Sequence, residues 1–227
     1  MSKRSKSSHR WLQEHFSDRF VQQAKAEGWR SRAVYKLEEA DRSARLFRPG
    51  MTVVDVGGNL GLYTVLLAEH VGAAGRVVAF EPDPDNAAVH AQTIAVNSLE
   101  RRWHLVRAAA GVQDGQAAFL AGDAALSHLV PVDAPRSIEV AVEDVMAILA
   151  DADLVKMDIE GGEWAILGDD RFRDTPPRVI VLEYHPRLCP SPDPRGLVEA
   201  TLREAGLTVT PIWHRADGHG MLWAWQS

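Results

Sequence analysis

The apolar residues of this chain follow two patterns that alternate along most of its length. Short runs rich in Val, Ile and Leu have the composition of strands buried on both faces, and they fall at residues 53–56, 76–80, 103–108, 154–158 and 179–182. Segments with apolar residues at helical spacing follow these runs, at residues 62–67, 83–97, 163–168 and 195–205. Because strands that alternate with helices favour a parallel, doubly wound sheet, the pattern predicts an α/β protein.

The stretch between the third and fourth of these runs is more polar. Within residues 109–136, the dipeptide Asp114-Gly115 predicts a hairpin. The remaining predicted elements are a strand at 137–142, a helix at 143–149 and two strands at 207–213 and 221–225. We expect the last two strands to form an antiparallel hairpin that closes the sheet.

The first 50 residues differ from the rest in charge. They contain 12 Lys and Arg against 6 Asp and Glu, whereas residues 51–227 contain 13 against 25. Helical spacing predicts two helices here, at about 17–27 and 31–44. We therefore expect residues 1–50 to be a basic helical extension that binds a polyanion such as RNA, attached to an acidic body over 51–227. A solvated helical face with a disordered basic tip would explain the same charges.

Composition also limits where the protein works and which chemistry it uses. No apolar run approaches the roughly 18 residues of a membrane span, and the polar residues 1–6 lack the apolar segment of a signal peptide. We therefore expect a cytoplasmic protein without a membrane partner. The single cysteine, Cys189, excludes an intrachain disulfide and a thiolate metal cluster.

The clearest functional signal is the stretch 53–64. Gly57 and Gly61 let the backbone turn sharply between a strand and a helix and approach a ligand closely. A dinucleotide fingerprint would need a third glycine where Leu62 stands, which disfavours nicotinamide cofactors. Glu81 ends the next predicted strand about 20 residues further on, where an acid can accept hydrogen bonds from a ribose diol. The turn therefore predicts a ligand that contains a nucleoside.

These residues resemble a known family. Asp55-x-Gly57-x-Asn59-x-Gly61 and Phe80-Glu81-Pro82-Asp83 resemble motifs I and II of S-adenosylmethionine (SAM) methyltransferases, and Asp158-Ile159-Glu160-Gly161 extends the resemblance to the FkbM family over about residues 52–186. The resemblance implies a Rossmann-like class I SAM-dependent methyltransferase domain over 51–227, with a seven-stranded, mostly parallel sheet, helices on both faces and an antiparallel C-terminal hairpin. It also implies SAM as the cofactor and a hydroxyl acceptor. The residues that it implies for SAM binding are Asp55, Gly57, Gly58, Asn59, Gly61, Tyr63, Glu81, Pro82, Ala109 and Asp158.

The N-terminal part resembles a second family. Over about residues 9–55, the segments 10–18, 21–24, 30–37 and 46–55 are similar to FtsJ-type (RlmE-type) ribosomal RNA ribose 2′-O-methyltransferases. The resemblance implies RNA binding and makes Lys36 the first member of a Lys-Asp-Lys-Glu catalytic tetrad, with Asp158 at the second position. The last two members do not match, because Leu182-Glu183 and His219-Gly220-Met221 stand where a lysine and a glutamate are expected.

Methyl transfer to an alcohol needs aligned reactants and a group that accepts the hydroxyl proton. Asp158, Glu160, Glu183 and His185 follow two predicted strands, at the edge of the sheet where ligands bind. They could act as general bases or ligate a divalent metal. Alternatively, Asp158 only holds the cofactor and Glu160 caps the next helix. We take Asp158, Lys36, Glu160 and His185 as the catalytic candidates.

Three functions follow from these patterns. The principal hypothesis is an FkbM-type O-methyltransferase that acts on a hydroxylated small molecule. The second is an RNA ribose methyltransferase that uses residues 1–50 to hold its substrate, and the third is a SAM-binding RNA module without turnover. The sequence leaves the acceptor, the metal dependence and the oligomeric state open among them.

Overall fold

The computed structural model describes residues 47–97, 102–122 and 127–226. Its strands are β1 (Thr52–Val56), β2 (Arg76–Phe80), β3 (Trp103–Val106), β4 (Ala109–Gly111), β5 (Gly115–Leu120), β6 (His128–Val130), β7 (Ile138–Asp144), β8 (Leu154–Met157), β9 (Val179–Tyr184), β10 (Leu207–His214) and β11 (Gly220–Gln226). Its helices are α1 (Leu62–Val71), α2 (Pro84–Val96), α3 (Met146–Ala150), α4 (Glu163–Leu167), α5 (Asp170–Asp174) and α6 (Pro194–Glu204). Across the described ranges, no helix has the length and apolar composition of a membrane span. The helices predicted within 17–44, and Lys36 with them, lie outside these ranges.

Among the described residues, seven strands form one large sheet in the order β10-β11-β9-β8-β1-β2-β3. β1 pairs in parallel with β2 on one side and with β8 on the other, and β9 continues parallel to β8. In this sheet only β11 runs against its neighbours, since it pairs antiparallel with both β9 and β10. The predicted α/β sheet with its C-terminal hairpin is confirmed. The strand order reverses between β1 and β8, which is where open α/β sheets bind ligands.

The central strands are apolar at successive positions because both faces of the sheet are covered. Residues such as Val53 and Val77 point to one face, where α1 packs against β1 and β2. Alternate residues point to the other face and form a core with residues of α3 to α6. Its members include Val54, Val56, Val78, Phe80, Val155, Met157, Ile180, Leu182, Met146, Leu149, Ile166, Phe172, Val198 and Leu202. This two-sided burial is typical of parallel sheets.

A second sheet forms from the chain between β3 and α3, with its four described strands in the order β4-β7-β5-β6. The predicted hairpin around Asp114-Gly115 is wrong, because β7 lies between β4 and β5 and pairs with both. Asp114 Oδ1 accepts a hydrogen bond from the Asp144 N–H at 2.9 Å, so this turn is fastened to the end of β7. The helix predicted at 143–149 begins only at Met146, since β7 extends to Asp144.

A buried ion pair joins the carboxyl end of β1 to β8. Lys156 Nζ lies 3.2 Å from Asp55 Oδ1 and donates a hydrogen bond to the Gly57 carbonyl oxygen at 2.8 Å, and Asp55 and Lys156 are both buried. Thr64 of α1 donates from Oγ1 to Asp55 Oδ2 at 2.5 Å. Burial by itself would lower the pKa of Lys156, but the charges of Asp55 and then Asp158 outweigh it, and the pKa is raised. The protonated lysine therefore fixes the start of the turn that follows β1.

Replacing Lys156 with methionine is expected to destabilise the fold by about 3–5 kcal/mol, because the Asp55 carboxylate stays buried without its cation. Urea denaturation followed by circular dichroism measures the loss. The double variant Lys156→Met/Asp55→Asn removes both charges while leaving an acceptor for Thr64, so it should lose less than the sum of the two single variants. Additive losses would mean that the two charges do not stabilise each other.

Candidate active site

The turn after β1 requires glycine because of what surrounds it. Gly57 has φ +81°, and a Cβ built on it would lie 2.0 Å from the Asp158 carbonyl oxygen. Gly61 has φ +84°, and a Cβ there would lie 2.7 Å from Cδ2 of His90. Left-handed backbone is unfavourable for most residues even without such overlaps. Gly57 therefore permits the close approach of the β1 and β8 ends, and Gly61 permits the approach of α2.

His90 of α2 fills the space behind this turn. Its ring is buried, lies edge-on to Trp103 with the ring centroids 5.0 Å apart, and places Nδ1 3.0 Å from the Asn59 carbonyl oxygen. Burial lowers the pKa of His90, although the charge of Asp55 and the contact with Asn59 oppose the shift. A Cβ on Gly58 would also meet this ring, at 2.7 Å. A neutral imidazole thus supports the turn from the side away from solvent.

A cleft lies in front of the turn. Its volume is about 580 Å³, which includes open solvent at its mouth. The cleft is bounded by the carboxyl ends of β1, β2 and β8 and by the second sheet. Its lining residues are Gly57, Asn59, Phe80, Glu81, Pro82, Asn86, Ala109, Ala110, Phe119, Ser127, His128, Leu129, Asp158, Ile159, Glu160 and Gly162.

Glu81 follows β2 and presents a carboxylate to this cleft. Its Oε2 accepts a hydrogen bond from the Asn59 N–H at 2.7 Å, its Oε1 accepts one from the Asp83 N–H at 2.8 Å, and the residue is 5% exposed. Burial raises the pKa of Glu81 to about 7, although these two hydrogen bonds oppose the shift. A carboxylate oxygen has two lone pairs, so each oxygen can still accept a bond from a ligand.

Asp83 connects the cleft to the second sheet. Its Oδ1 accepts hydrogen bonds from the N–H groups of Asp85 at 3.0 Å and Asn86 at 3.3 Å, which caps α2. Its Oδ2 accepts bonds from the Gly122 N–H at 2.9 Å and from Ser127 Oγ at 3.2 Å. Burial would raise the pKa of Asp83, but these hydrogen bonds outweigh it and the pKa is lowered. The ionised carboxylate holds Gly122 and Ser127 at the rim of the cleft.

Asn86 lines the cleft and carries an unused donor. The residue is 8% exposed, and its Nδ2 has no hydrogen-bond acceptor among the described residues. Burying an unsatisfied amide costs about 1–3 kcal/mol, so such groups are rare unless a ligand or water completes them. Ala109, Phe119 and Leu129 give the same cleft an apolar wall. A polar edge that faces an apolar wall suits a nucleoside.

A second group of polar side chains lies at the ends of β8 and β9. Its centre is His185, which is 3% exposed and whose Nε2 lies 3.7 Å from Asp158 Oδ1 and 3.5 Å from Glu160 Oε1. Oε1 of the buried Glu163 accepts a hydrogen bond from the His185 backbone N–H at 2.7 Å and lies 3.1 Å from its Nδ1. One potential ligand atom from each of Asp158, Glu160 and His185 lies within 4.8 Å of the other two. The group is therefore compact enough to hold one cation.

The charged side chains of this group shift the pKa values of His185 and Glu160. Burial would lower the pKa of His185, but the hydrogen bond and charge of Glu163, followed by the charges of Asp158 and Glu160, raise it to about 9. Burial raises the pKa of Glu160 to about 7, against the opposing charge of His185. Glu160 also has a φ of 54°, in the left-handed region that is uncommon for non-glycine residues and is found more often at functional sites.

The structure brings together most of the residues that the sequence predicts for the site. Those that line the cleft are Gly57, Asn59, Glu81, Pro82, Ala109, Asp158 and Glu160. His185 joins Asp158 and Glu160 from the next strand. Asp55, Gly58, Gly61 and Tyr63 are not among the lining residues and support the turn instead, with the Tyr63 ring centroid 4.8 Å from Lys156 Nζ. The alternative role of Glu160 as a helix cap is wrong, because the N-cap residue of α4 is Gly162 and none of the described side chains caps this helix.

Sequence reasoning missed four residues of the site: Lys156, Asn86, His90 and Glu163. Lys156 had a signal, since a lysine within an apolar strand needs a buried counterion. The other three lie on helices, where nothing in their spacing distinguishes a buried polar residue from an exposed one.

Comparison with known proteins places these features in a family. A family model described as the methyltransferase FkbM domain matches residues 55–206, more than half of the chain. The crystal structure of a methyltransferase FkbM from Methylobacillus flagellatus KT has a TM-score of 0.55 at 20% identity, covering 80% of this chain and 45% of that one. Ribosomal RNA large subunit methyltransferase E of Legionella pneumophila (strain Lens) is 54% identical over 84 residues, which is 37% of this chain and 41% of that protein. The chain thus spans less than half the length of either protein.

Gly57→Ala is expected to destabilise the protein by about 2–5 kcal/mol, because left-handed backbone costs about 1–2 kcal/mol and overlap with Asp158 adds about 1–3 kcal/mol. Gly206→Ala is the matched control, since Gly206 has φ +82° and a Cβ on it would have no atom within 4 Å. The control should lose only the backbone contribution. Urea denaturation of both variants measures the difference, and equal losses would contradict the close contact between Gly57 and Asp158.

Proposed function

Because the chain belongs to the FkbM methyltransferase family, we propose that it transfers the methyl group of SAM to a hydroxyl group of a small molecule. Family and fold make it a SAM-dependent methyltransferase, and the hydroxyl acceptor is the further step. One observation carries this step. A single cleft brings together Glu81 and Asn59, which suit a ribose, and Asp158 and Glu160, which suit the proton of a hydroxyl group.

The described residues fit SAM in three respects. Glu81 keeps free lone pairs for the two ribose hydroxyl groups, next to the turn at Gly57. Asn86 has an unused buried donor, and Phe119 and Ala109 offer an apolar surface to a flat base. When bound, SAM would supply a methyl group on a sulfonium sulfur. The role of the protein itself is to hold the nucleoside, align the acceptor and exclude water.

Since burial raises the pKa of Glu81 to about 7, SAM affinity should depend on pH. Ribose hydroxyl groups donate to the ionised carboxylate, so the affinity should fall up to about tenfold per pH unit below 7 and level off above 8. Glu81→Gln should weaken binding by about 1–3 kcal/mol at pH 8 and remove this dependence. Isothermal titration calorimetry at pH 6, 7 and 8 measures both effects, with Glu69→Gln, an exposed acid of α1, as the control. A wild-type pH profile in Glu81→Gln would exclude the ribose contact.

The acid group supplies the proton acceptor that a hydroxyl substrate needs. As the acceptor oxygen bonds to the methyl carbon, the S–C bond breaks with its electron pair going to sulfur, and the hydroxyl proton must leave. Asp158 lines the cleft beside Gly57 and is only partly buried, so its carboxylate can take this proton and release it to solvent. His185, which follows β9, places its Nε2 3.7 Å from this carboxylate. Asp158 is thus the general base of the proposal.

The charge of the cleft favours an uncharged or cationic acceptor. Glu81, Asp158 and Glu160 line it, and no Lys or Arg is among the lining residues that the structure describes. The negatively charged phosphodiester backbone of RNA would be repelled by the carboxylates at this edge of the sheet, whereas a sugar or another neutral alcohol would not. This supports a small hydroxylated acceptor.

A second function is favoured by the identity of 54% over 84 residues with a ribosomal RNA methyltransferase. In this alternative, the basic residues 1–50 hold RNA through its phosphates, Lys36 acts together with Asp158, and the acceptor is a ribose 2′-hydroxyl group. A SAM-binding RNA module without turnover would need the same N-terminal extension but no catalytic general base.

Methyl-labelled SAM, incubated with the protein and either total RNA or an extract of hydroxylated small molecules, separates these functions. The proposal predicts label in the small-molecule fraction, a loss of about 10²-fold or more in Asp158→Asn, and no loss in Lys36→Ala. Circular dichroism and SAM calorimetry check that Asp158→Asn still folds and binds the cofactor. Label in RNA that Lys36→Ala abolishes would establish the second function instead. SAM binding without label in either fraction would leave the binding module.

A further inference from the structure

We propose that Asp158, Glu160 and His185 form a binding site for one divalent metal ion that accepts both nitrogen and oxygen ligands, such as Mn²⁺ or Zn²⁺. Two carboxylates and one imidazole would leave coordination positions open toward the cleft, which Asp158 and Glu160 line. The role of this ion in catalysis rests on the proposed transfer to a hydroxyl group, whereas its binding does not.

The spacing of the three side chains fits a shared cation better than direct hydrogen bonds. His185 Nε2 lies 3.5 Å from Glu160 Oε1 and 3.7 Å from Asp158 Oδ1. Hydrogen bonds between nitrogen and oxygen are shorter, about 2.7–3.2 Å. Two ligand atoms that each lie about 2.1 Å from one ion are about 3.0–3.4 Å apart at octahedral or tetrahedral angles. Small rotations of the two carboxylates would therefore close the site around an ion.

The orientation of the imidazole is the second observation that points to a ligand. His185 is almost fully buried, and its Nε2, which faces the two carboxylates, forms no hydrogen bond with any described residue. Its Nδ1 is engaged by Glu163 at 3.1 Å. A histidine that binds a metal commonly donates its other ring N–H to a carboxylate, which fixes the tautomer. Because Nε2 faces both carboxylates at 3.5 and 3.7 Å, one ion between them would contact all three side chains.

Glu163 also fixes the backbone that carries the other ligands. Its Oε2 accepts a hydrogen bond from the Gly161 N–H at 2.8 Å, while its Oε1 binds His185. Glu160 and Gly161 both have left-handed φ values, 54° and 107°. One buried carboxylate thus holds the imidazole after β9 and the loop after β8 in a single arrangement. A site whose ligands are fixed beforehand loses less entropy on binding an ion.

The ligand types select the class of ion. Carboxylates alone suit Mg²⁺ and Ca²⁺, whereas imidazole favours Zn²⁺, Fe²⁺ and related transition metals. The mixed set therefore favours Mn²⁺ or Zn²⁺ over Mg²⁺. A divalent ion at this place would lower the pKa of a hydroxyl group that reaches it, and the released proton would pass to a carboxylate oxygen that does not bind the ion.

Electron paramagnetic resonance of Mn²⁺ titrated into the full chain, freed of metal with a chelator, tests the site without any turnover. We expect one bound Mn²⁺ per chain, displaced by Zn²⁺ and not by an equal concentration of Mg²⁺. Glu160→Gln and Asp158→Asn keep the shape of each side chain and should each raise the Kd at least about tenfold. Glu69→Gln removes an equal charge from an exposed position of α1, so it should change the Kd by less than about threefold.

Circular dichroism of each variant checks that it folds. Failure to bind Mn²⁺ or Zn²⁺, or binding that survives both Glu160→Gln and Asp158→Asn, would overturn the proposal and leave only a proton at this position. Saturable binding without methyl transfer to any hydroxylated compound would support the site and reject the proposed function. Full transfer by the metal-free protein would support the proposed function and reject a catalytic role for the ion.

Discussion

The ion pair between Asp55 and Lys156 is the interaction on which both halves of the cleft depend. Neither charge has access to solvent, so each needs the other, and together they fix the end of β1 against β8. Lys156 also holds the Gly57 carbonyl oxygen, and Asp55 accepts a bond from Thr64 at the start of α1. The position of Gly57 against Asp158 follows from these contacts. The ends of β1 and β8 that border the cleft are therefore held at a fixed distance by two charged side chains that are not among its lining residues.

Two further carboxylates repeat this arrangement at the edges of the cleft. Asp83 caps α2 with one oxygen and holds Gly122 and Ser127 with the other, so the second sheet borders the cleft next to Glu81. Glu163 holds Gly161 with one oxygen and His185 with the other, so β8 and β9 present their side chains together. In both cases a carboxylate takes backbone N–H groups from two separate segments. Such cross-links restrict the motion of these segments before a substrate binds. Less conformational entropy is then lost on binding.

In methyl transfer the protein mainly aligns the two reactants. The residues around the cleft therefore determine which acceptor it can bind. The acidic residues Glu81, Asp158 and Glu160 line it without any described Lys or Arg, whereas the excess of Lys and Arg lies within residues 1–50. The two family resemblances follow the same division, because the FkbM match covers residues 55–206 and the FtsJ-like segments precede most of it.

The sequence by itself determined the strands of the large sheet and the glycine turn after β1, because both depend on local patterns. The run at 154–158 specified β8, and Gly57, Glu81 and Asp158 could be assigned to strand ends from spacing alone. Only the tertiary structure decided which elements meet. It inserted β7 between β4 and β5, where the dipeptide at residues 114–115 had suggested a hairpin. It brought Lys156 to Gly57 across 99 positions of sequence, set His90 behind the glycines, and turned His185 toward Asp158 and Glu160. Contacts of this kind depend on the order of the strands in the sheet and on how the chain connects them. The hydrophobic periodicity of the sequence specifies neither.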